Sequence, residues 1–72
     1  MNVVERARLK SGQRIKWQGR HFIYHGYAYK AYSLKEEGAS EICVWLNGHT
    51  EFTPVYEHLS RAEILDVEVI KE

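Results

Sequence analysis

Basic and aromatic side chains are interleaved in residues 14–32, a combination that suits a nucleic-acid surface. Alternate residues of a β-strand project to the same side, so basic residues at such positions can follow a phosphate backbone. The candidates for phosphate contact are Arg14, Lys16, Arg20, His21, His25 and Lys30. The candidates for stacking on bases are Tyr27, Tyr32 and Trp45. We therefore predict a non-enzymatic accessory module that binds nucleic acid.

Charge is sorted by position along the chain. Residues 1–35 hold eight Lys or Arg against one acid, a net charge of +7, whereas residues 36–72 hold nine acids against two Lys or Arg, a net charge of −7. Such polarity also fits a protein-interaction module, which is the alternative function, and it permits self-association. A third interpretation is that the cations pair internally with Glu41, Glu51, Asp66 and Glu68.

Catalytic and metal-binding patterns are absent from the sequence. His21 and His25 would lie about 13 Å apart on one strand, too far to share a zinc ion. The single cysteine, Cys43, has no second thiol and sits in an apolar run typical of an inert packing residue. No glycine-rich phosphate loop or nucleophile elbow occurs. We expect neither a metal, a cofactor nor enzymatic activity.

The size and composition indicate one small globular domain spanning residues 1–72. A hydrophobic content of 44% excludes a disordered chain, and no segment has the apolar length of a membrane span or the pattern of a signal peptide. One unpaired cysteine favours a reducing compartment. We therefore expect a cytoplasmic protein with no membrane partner.

The clearest local pattern is a β-hairpin around Gln18-Gly19. A two-residue turn there pairs Trp17 with Arg20 and places Ile15, Trp17, Phe22 and Tyr24 on a core face. We expect Trp17 to anchor the core, with Arg20 over its ring. The opposite face carries Arg14, Lys16, His21 and His25.

The second strand is predicted to run from residue 20 to residue 33, with a bulge at Gly26. The bulge would place Tyr27 on the core side, and Lys30 and Tyr32 on the basic side. Without a bulge this assignment reverses.

Residues 34–40 read as a polar loop, followed by a hairpin around Asn47-Gly48. A two-residue turn would group Cys43 and Trp45 with Phe52. We prefer a three-residue turn through His49, which groups Ile42, Val44 and Leu46 with Phe52 and leaves Trp45 at the surface.

The remaining segments complete a mainly β fold. Residues 56–62 suggest a helical turn with Leu59 inward, and residues 65–69 alternate as a last strand. Asn2 and Glu5 have capping-box spacing, so residues 1–9 form a short helix or, alternatively, a strand. We predict a small, partly open barrel of about five strands with SH3-like architecture. OB-folds and β-rolls have similar strand counts.

Overall fold

A five-stranded antiparallel sheet makes up most of the molecule. The computed structural model describes residues 1–71. The elements are α1 (Val3–Ala7), β1 (Arg14–Trp17), β2 (Arg20–Ala28), β3 (Ala31–Val44), β4 (Thr50–Leu59), a 3₁₀ helix (Glu63–Asp66) and β5 (Glu68–Val69). The strands lie in the order β4-β3-β2-β1-β5. The mainly β prediction is confirmed, but β4 and β5 are opposite edges within the described residues, so the barrel and its SH3-like architecture are not.

The first hairpin has the register that the sequence predicts. Trp17 pairs with Arg20 and Ile15 with Phe22. Gln18 and Gly19 have φ values of 50° and 74°, and a two-residue turn of type I′ requires positive φ at both positions. This turn type suits a hairpin because its backbone twist matches that of the flanking strands. Alternation then directs Ile15 and Phe22 to the core, where both side chains are fully buried.

The predicted strand over residues 20–33 is wrong, because the chain reverses at Tyr29 and Lys30. These two residues have φ values of 52° and 60°, and Ala28 pairs with Ala31 across them. This second two-residue turn contains neither Gly nor Asn, the residues that tolerate positive φ best, so its sequence does not look like a turn. The predicted loop over residues 34–40 consequently belongs to β3, and Leu34 is fully buried.

The bulge at Gly26 is confirmed, since the register between β2 and β3 shifts between Tyr24 and Gly26. Tyr27 follows the core side as predicted and pairs with Tyr32. The placement of Tyr32 on the basic side is wrong, because the turn at residues 29–30 puts it opposite Tyr27. Tyr32 is only 9% exposed.

Short helical elements lie near both ends of the chain. In α1, the Asn2 side chain accepts a hydrogen bond from the Glu5 backbone at 2.8 Å, and Glu5 accepts one from the Asn2 backbone at 3.1 Å. The helix alternative is therefore confirmed. β4 continues to Leu59, which points inward as predicted, so the helical turn over residues 56–62 is wrong and a 3₁₀ helix follows at residues 63–66.

The core lies on a single face of the sheet. Its buried members are Ile15, Phe22, Tyr24, Tyr32, Leu34, Leu59, Ile64 and Val67. Ile64 and Val67 come from the 3₁₀ helix and the residue after it, and they cover the strands. Trp17 is half-buried at the rim of the core rather than being its central anchor. The opposite face of the sheet, which we call the open face, carries no covering element within residues 1–71.

Candidate binding surfaces

The open face gathers basic, imidazole and aromatic groups across four strands. Arg14, Ile23, Lys35 and Tyr56 are register neighbours in one row across β1, β2, β3 and β4. Lys16 and His21 form the adjacent pair. The His25 and Tyr56 rings meet edge to face, with centroids 5.6 Å apart. The structure thus brings together Arg14, Lys16, His21 and His25, as the sequence predicts.

Arg14 forms a two-point ion pair on the open face. Its Nε and Nη2 each donate to one carboxylate oxygen of Glu37 at 3.0 Å. This hydrogen bonding holds the pKa of Glu37 below its ordinary value. A phosphate would therefore compete with an existing carboxylate for this guanidinium.

Arg20 lies on the core side of the sheet, apart from the phosphate-contact candidates Arg14, Lys16, His21 and His25. Its Nε and Nη2 donate to Glu36 at 2.8 and 2.6 Å, and Nη2 also lies 3.4 Å from Glu57. The hydrogen bonds from Arg20 lower the pKa of Glu36, and those from Glu36 raise the pKa of Arg20. The guanidinium carbon sits 5.1 Å from the Phe22 ring centroid rather than over Trp17 as predicted.

Internal charge pairing is therefore present, but its partners differ from those expected. The acids that bind the two arginines are Glu36, Glu37 and Glu57. The sequence predicts a loop for Glu36 and Glu37, whereas the structure places both in β3 and so beside the arginines of β1 and β2. Sequence alternation could not place them because the turn at residues 29–30 was missed.

The remaining predicted site residues do not share the open face. Lys30 sits in the turn between β2 and β3 beside the fully exposed Tyr29. Tyr27 contacts Tyr32 on the core side, with ring centroids 4.5 Å apart. The tyrosine that does lie among the basic residues is Tyr56, which is 41% exposed and which sequence analysis missed by assigning it to a helical turn.

The outer parts of β3 and β4 form a protruding hairpin, residues 40–54, which we call the distal arm. β2 pairs with β3 only as far as Glu36, so beyond it the described chain is a two-stranded ribbon. Every residue from 41 to 52 is exposed. The molecule measures 48 × 27 × 19 Å and has a radius of gyration of 14.0 Å, against about 11 Å for a compact domain of this length.

One face of the distal arm is apolar and uncharged. Ile42 pairs with Phe52, Val44 with Thr50 and Ser40 with Pro54, so these six side chains share a side. Ile42, Val44 and Phe52 are 63%, 66% and 70% exposed. The predicted grouping of Ile42 and Val44 with Phe52 is confirmed, but nothing in residues 1–71 covers it. We call this side the apolar arm face.

The other face of the arm carries its charge. Cys43 pairs with Glu51 and Glu41 with Thr53, and Trp45 Nε1 donates to a Glu51 carboxylate oxygen at 3.2 Å. Residues 36–60 contain five glutamates and neither lysine nor arginine. Cys43 is exposed, so its assignment as a packing residue is wrong.

The tip of the arm is a three-residue loop, residues 46–48. The Trp45 backbone N–H donates to the His49 carbonyl at 2.8 Å, and Gly48 adopts a φ of 84°. The predicted loop length is confirmed, but the loop lies one residue earlier, so Leu46 is in it and is fully exposed. Trp45 is 53% exposed, which confirms its predicted place at the surface.

Two further observations concern other kinds of site. Across residues 1–71, no three His, Cys, Asp or Glu side chains cluster closely enough to hold a metal ion. In the same range no helix has the length and apolar character to cross a bilayer.

Comparisons with models of protein families, with curated proteins and with solved structures gave no match.

Proposed function

We propose that this chain is a non-enzymatic protein-interaction module that engages its partner through the distal arm. The observation that carries the proposal is the apolar arm face, where Ile42, Val44 and Phe52 are all more than 60% exposed. Each such side chain forgoes a large part of the roughly 1.5–3 kcal/mol that its full burial would contribute. A contiguous apolar surface on a protruding element is characteristic of an interaction site.

The position of the arm supports this function. The arm contributes no residue to the core, so its apolar side chains are not needed to fold the body of the sheet. Proline is tolerated in a strand mainly at a sheet edge, and Pro54 lies on edge strand β4. The arm is therefore a ribbon with a free edge and a free apolar face. We place the protein in the cytoplasm, since an exposed thiol such as that of Cys43 persists best in a reducing compartment.

Nucleic-acid binding on the open face is the second candidate. It is favoured by Lys16 and Lys35, which lie on the same face as His25 and Tyr56. It ranks second because Arg14 and Arg20 are already in two-point ion pairs with glutamates. Fewer phosphate contacts mean weaker binding and a shallower salt dependence.

The test of the proposed function compares two matched double variants. Ile42→Thr with Phe52→Thr removes apolar area from the arm and keeps residues that favour strands. Val3→Thr with Val4→Thr removes similarly exposed side chains from α1 and serves as the control. Each purified protein is immobilised and used to capture proteins from a lysate of the source organism, with quantification by mass spectrometry.

We expect proteins that the wild type and the α1 variant retain and the arm variant loses, with the same difference when a captured protein is purified and titrated. Equal capture by all three proteins would reject the proposal. In parallel, ¹H–¹⁵N spectra are recorded with single-stranded and duplex oligonucleotides. Shifts at the open face that fade with salt and vanish in Lys16→Glu with Lys35→Glu would support the second candidate instead.

A further inference from the structure

We propose that the occupant of the apolar arm face is a second copy of this chain, so that two distal arms pack face to face about a two-fold axis. This inference rests on the proposed function, because it names the partner of the same surface. In such a dimer each copy presents the same patch to the other, and Ile42, Val44 and Phe52 meet their counterparts.

The charge distribution of the arm favours a face-to-face arrangement. The six residues of the apolar arm face carry no charge, whereas Glu41 and Glu51 project from the opposite side. Two arms can therefore meet while their carboxylates remain in water on the outside of the pair. The Trp45–Glu51 hydrogen bond also lies on the outer side, so pairing would not break it.

The same distribution disfavours docking of the arm on the open face of another copy. That arrangement would lay Ile42 and Phe52 over Lys16 and Lys35, which are exposed charged groups. Ammonium groups covered by hydrocarbon lose hydration without gaining a partner. Homodimer interfaces are richer in apolar area than other interfaces, and an uncharged face matches itself better than it matches a charged one.

The available area is close to what a specific dimer needs. From their exposed fractions, the six residues of the apolar arm face together expose on the order of 500 Å² per copy. Two copies would then bury roughly 1,000 Å², about the minimum expected of a specific interface. The apolar arm face is no larger than the largest apolar patch of typical monomers, which is about 300–600 Å², so a single copy can remain in solution without its partner. We therefore expect a dissociable dimer.

The first experiment measures mass against concentration. Sedimentation equilibrium is run from about 1 µM to about 500 µM, which brackets the affinity expected of a small interface. The wild type and the Val3→Thr, Val4→Thr control should shift from monomer to dimer, while Ile42→Thr with Phe52→Thr should remain monomeric. Salt should leave dimerisation unchanged or strengthen it, because the contact is apolar and the two arms have like charge. Dissociation by salt would instead indicate contact between basic and acidic regions and would overturn the proposal.

The second experiment locates the contact. Cys43 projects away from the apolar arm face, and the adjacent Val44 projects from it. In a Cys43→Ser background, Val44→Cys should cross-link between copies with a short bis-maleimide, whereas the wild type with Cys43 alone should cross-link far less. Equal cross-linking at both positions would overturn the face-to-face arrangement. Unchanged ¹H–¹⁵N signals of core residues verify that each variant is folded.

The outcomes separate this inference from the proposed function. A monomer at all concentrations, combined with arm-dependent capture of another protein, overturns the dimer and leaves the interaction function in place. A monomer without arm-dependent capture overturns both.

Discussion

The body of the sheet, by which we mean all of the sheet outside the distal arm, and the distal arm itself are built from strands with the same alternating pattern, but their apolar residues have opposite environments. In the body, alternating apolar residues such as Phe22 and Leu34 are fully buried beneath the 3₁₀ helix. In the arm, equally apolar residues such as Phe52 and Val44 alternate in the same way and stay in water. Alternation therefore predicts which residues share a face, while a covering element decides whether that face becomes core.

The largest expected effect is a difference in the free energy of unfolding between two phenylalanine variants, one in the body and one in the arm. Phe22→Ala should cost about 3–5 kcal/mol, which equals the roughly 3–5 kcal/mol that a domain of this size possesses, so this variant should be unfolded. Phe52→Ala should change the free energy of unfolding by less than about 0.5 kcal/mol. Urea unfolding followed by circular dichroism measures both.

A milder core variant is needed because the free energy of unfolding can be measured only for a variant that still folds. Ile15→Val should lower the free energy of unfolding by about 0.5–1.5 kcal/mol and remain folded. If Phe52→Ala proved as destabilising as Ile15→Val in dilute solution, the arm would belong to the same cooperative folding unit as the core.

The next effect is the loss of stability at low pH, which should also depend on ion pairs in the body and not on the arm. Hydrogen bonds from Arg20 and Arg14 place the folded-state pKa values of Glu36 and Glu37 below the ordinary value of 4.5. The ion pairs therefore stabilise the fold above that value, and this contribution is lost as the pH falls through the folded pKa values. Glu36→Gln with Glu37→Gln should lower the urea midpoint near neutral pH and weaken its dependence on acid.

The matched control is Glu41→Gln with Glu51→Gln, which removes the same charge from the arm. It should keep the acid dependence of the wild type. A parallel flattening in both double variants would show that overall charge, rather than the two arginine pairs, governs acid stability.

The last effect, which stabilises the fold, lies at the turn between β2 and β3. Tyr29 and Lys30 hold positive φ values that suit Asn and Gly better. Tyr29→Asn with Lys30→Gly should raise the free energy of unfolding by about 1 kcal/mol. The reverse kind of change, Gly19→Ala in the first hairpin, should lower it, because Gly19 has a φ of 74°. Thermal unfolding would contradict this account if both variants moved in the same direction.

What the sequence predicts well is local. The hairpin of residues 14–23 follows from strict alternation around Gln18-Gly19, and the bulge follows from a glycine inside a strand. The capping box of α1 is equally local, since Asn2 and Glu5 are three residues apart.

Two features could not be predicted from the sequence: a turn that lacks the usual turn residues, and the absence, within residues 1–71, of an element that covers the arm. Tyr29 and Lys30 form a tight turn without the Gly or Asn that usually marks one, so the sequence does not predict a turn there. Because the turn is missed, Tyr32 is predicted on the wrong face, and Leu34, Glu36 and Glu37 are predicted in a loop instead of a strand. The exposure of the arm depends on which elements lie above it, and alternation contains no such information. One signal was available, because Pro54 inside an apolar strand marks an edge.

The break in the ladder between β3 and β4 has a consequence for how this protein can diversify. Lys35 pairs with Tyr56 and Ser40 with Pro54, so residues 36–39 face a single residue of β4 and regular pairing is interrupted at the base of the arm. Substitutions beyond this interruption do not have to satisfy the packing of the core. The sequence of the arm can therefore vary widely while the core that forms the scaffold stays unchanged.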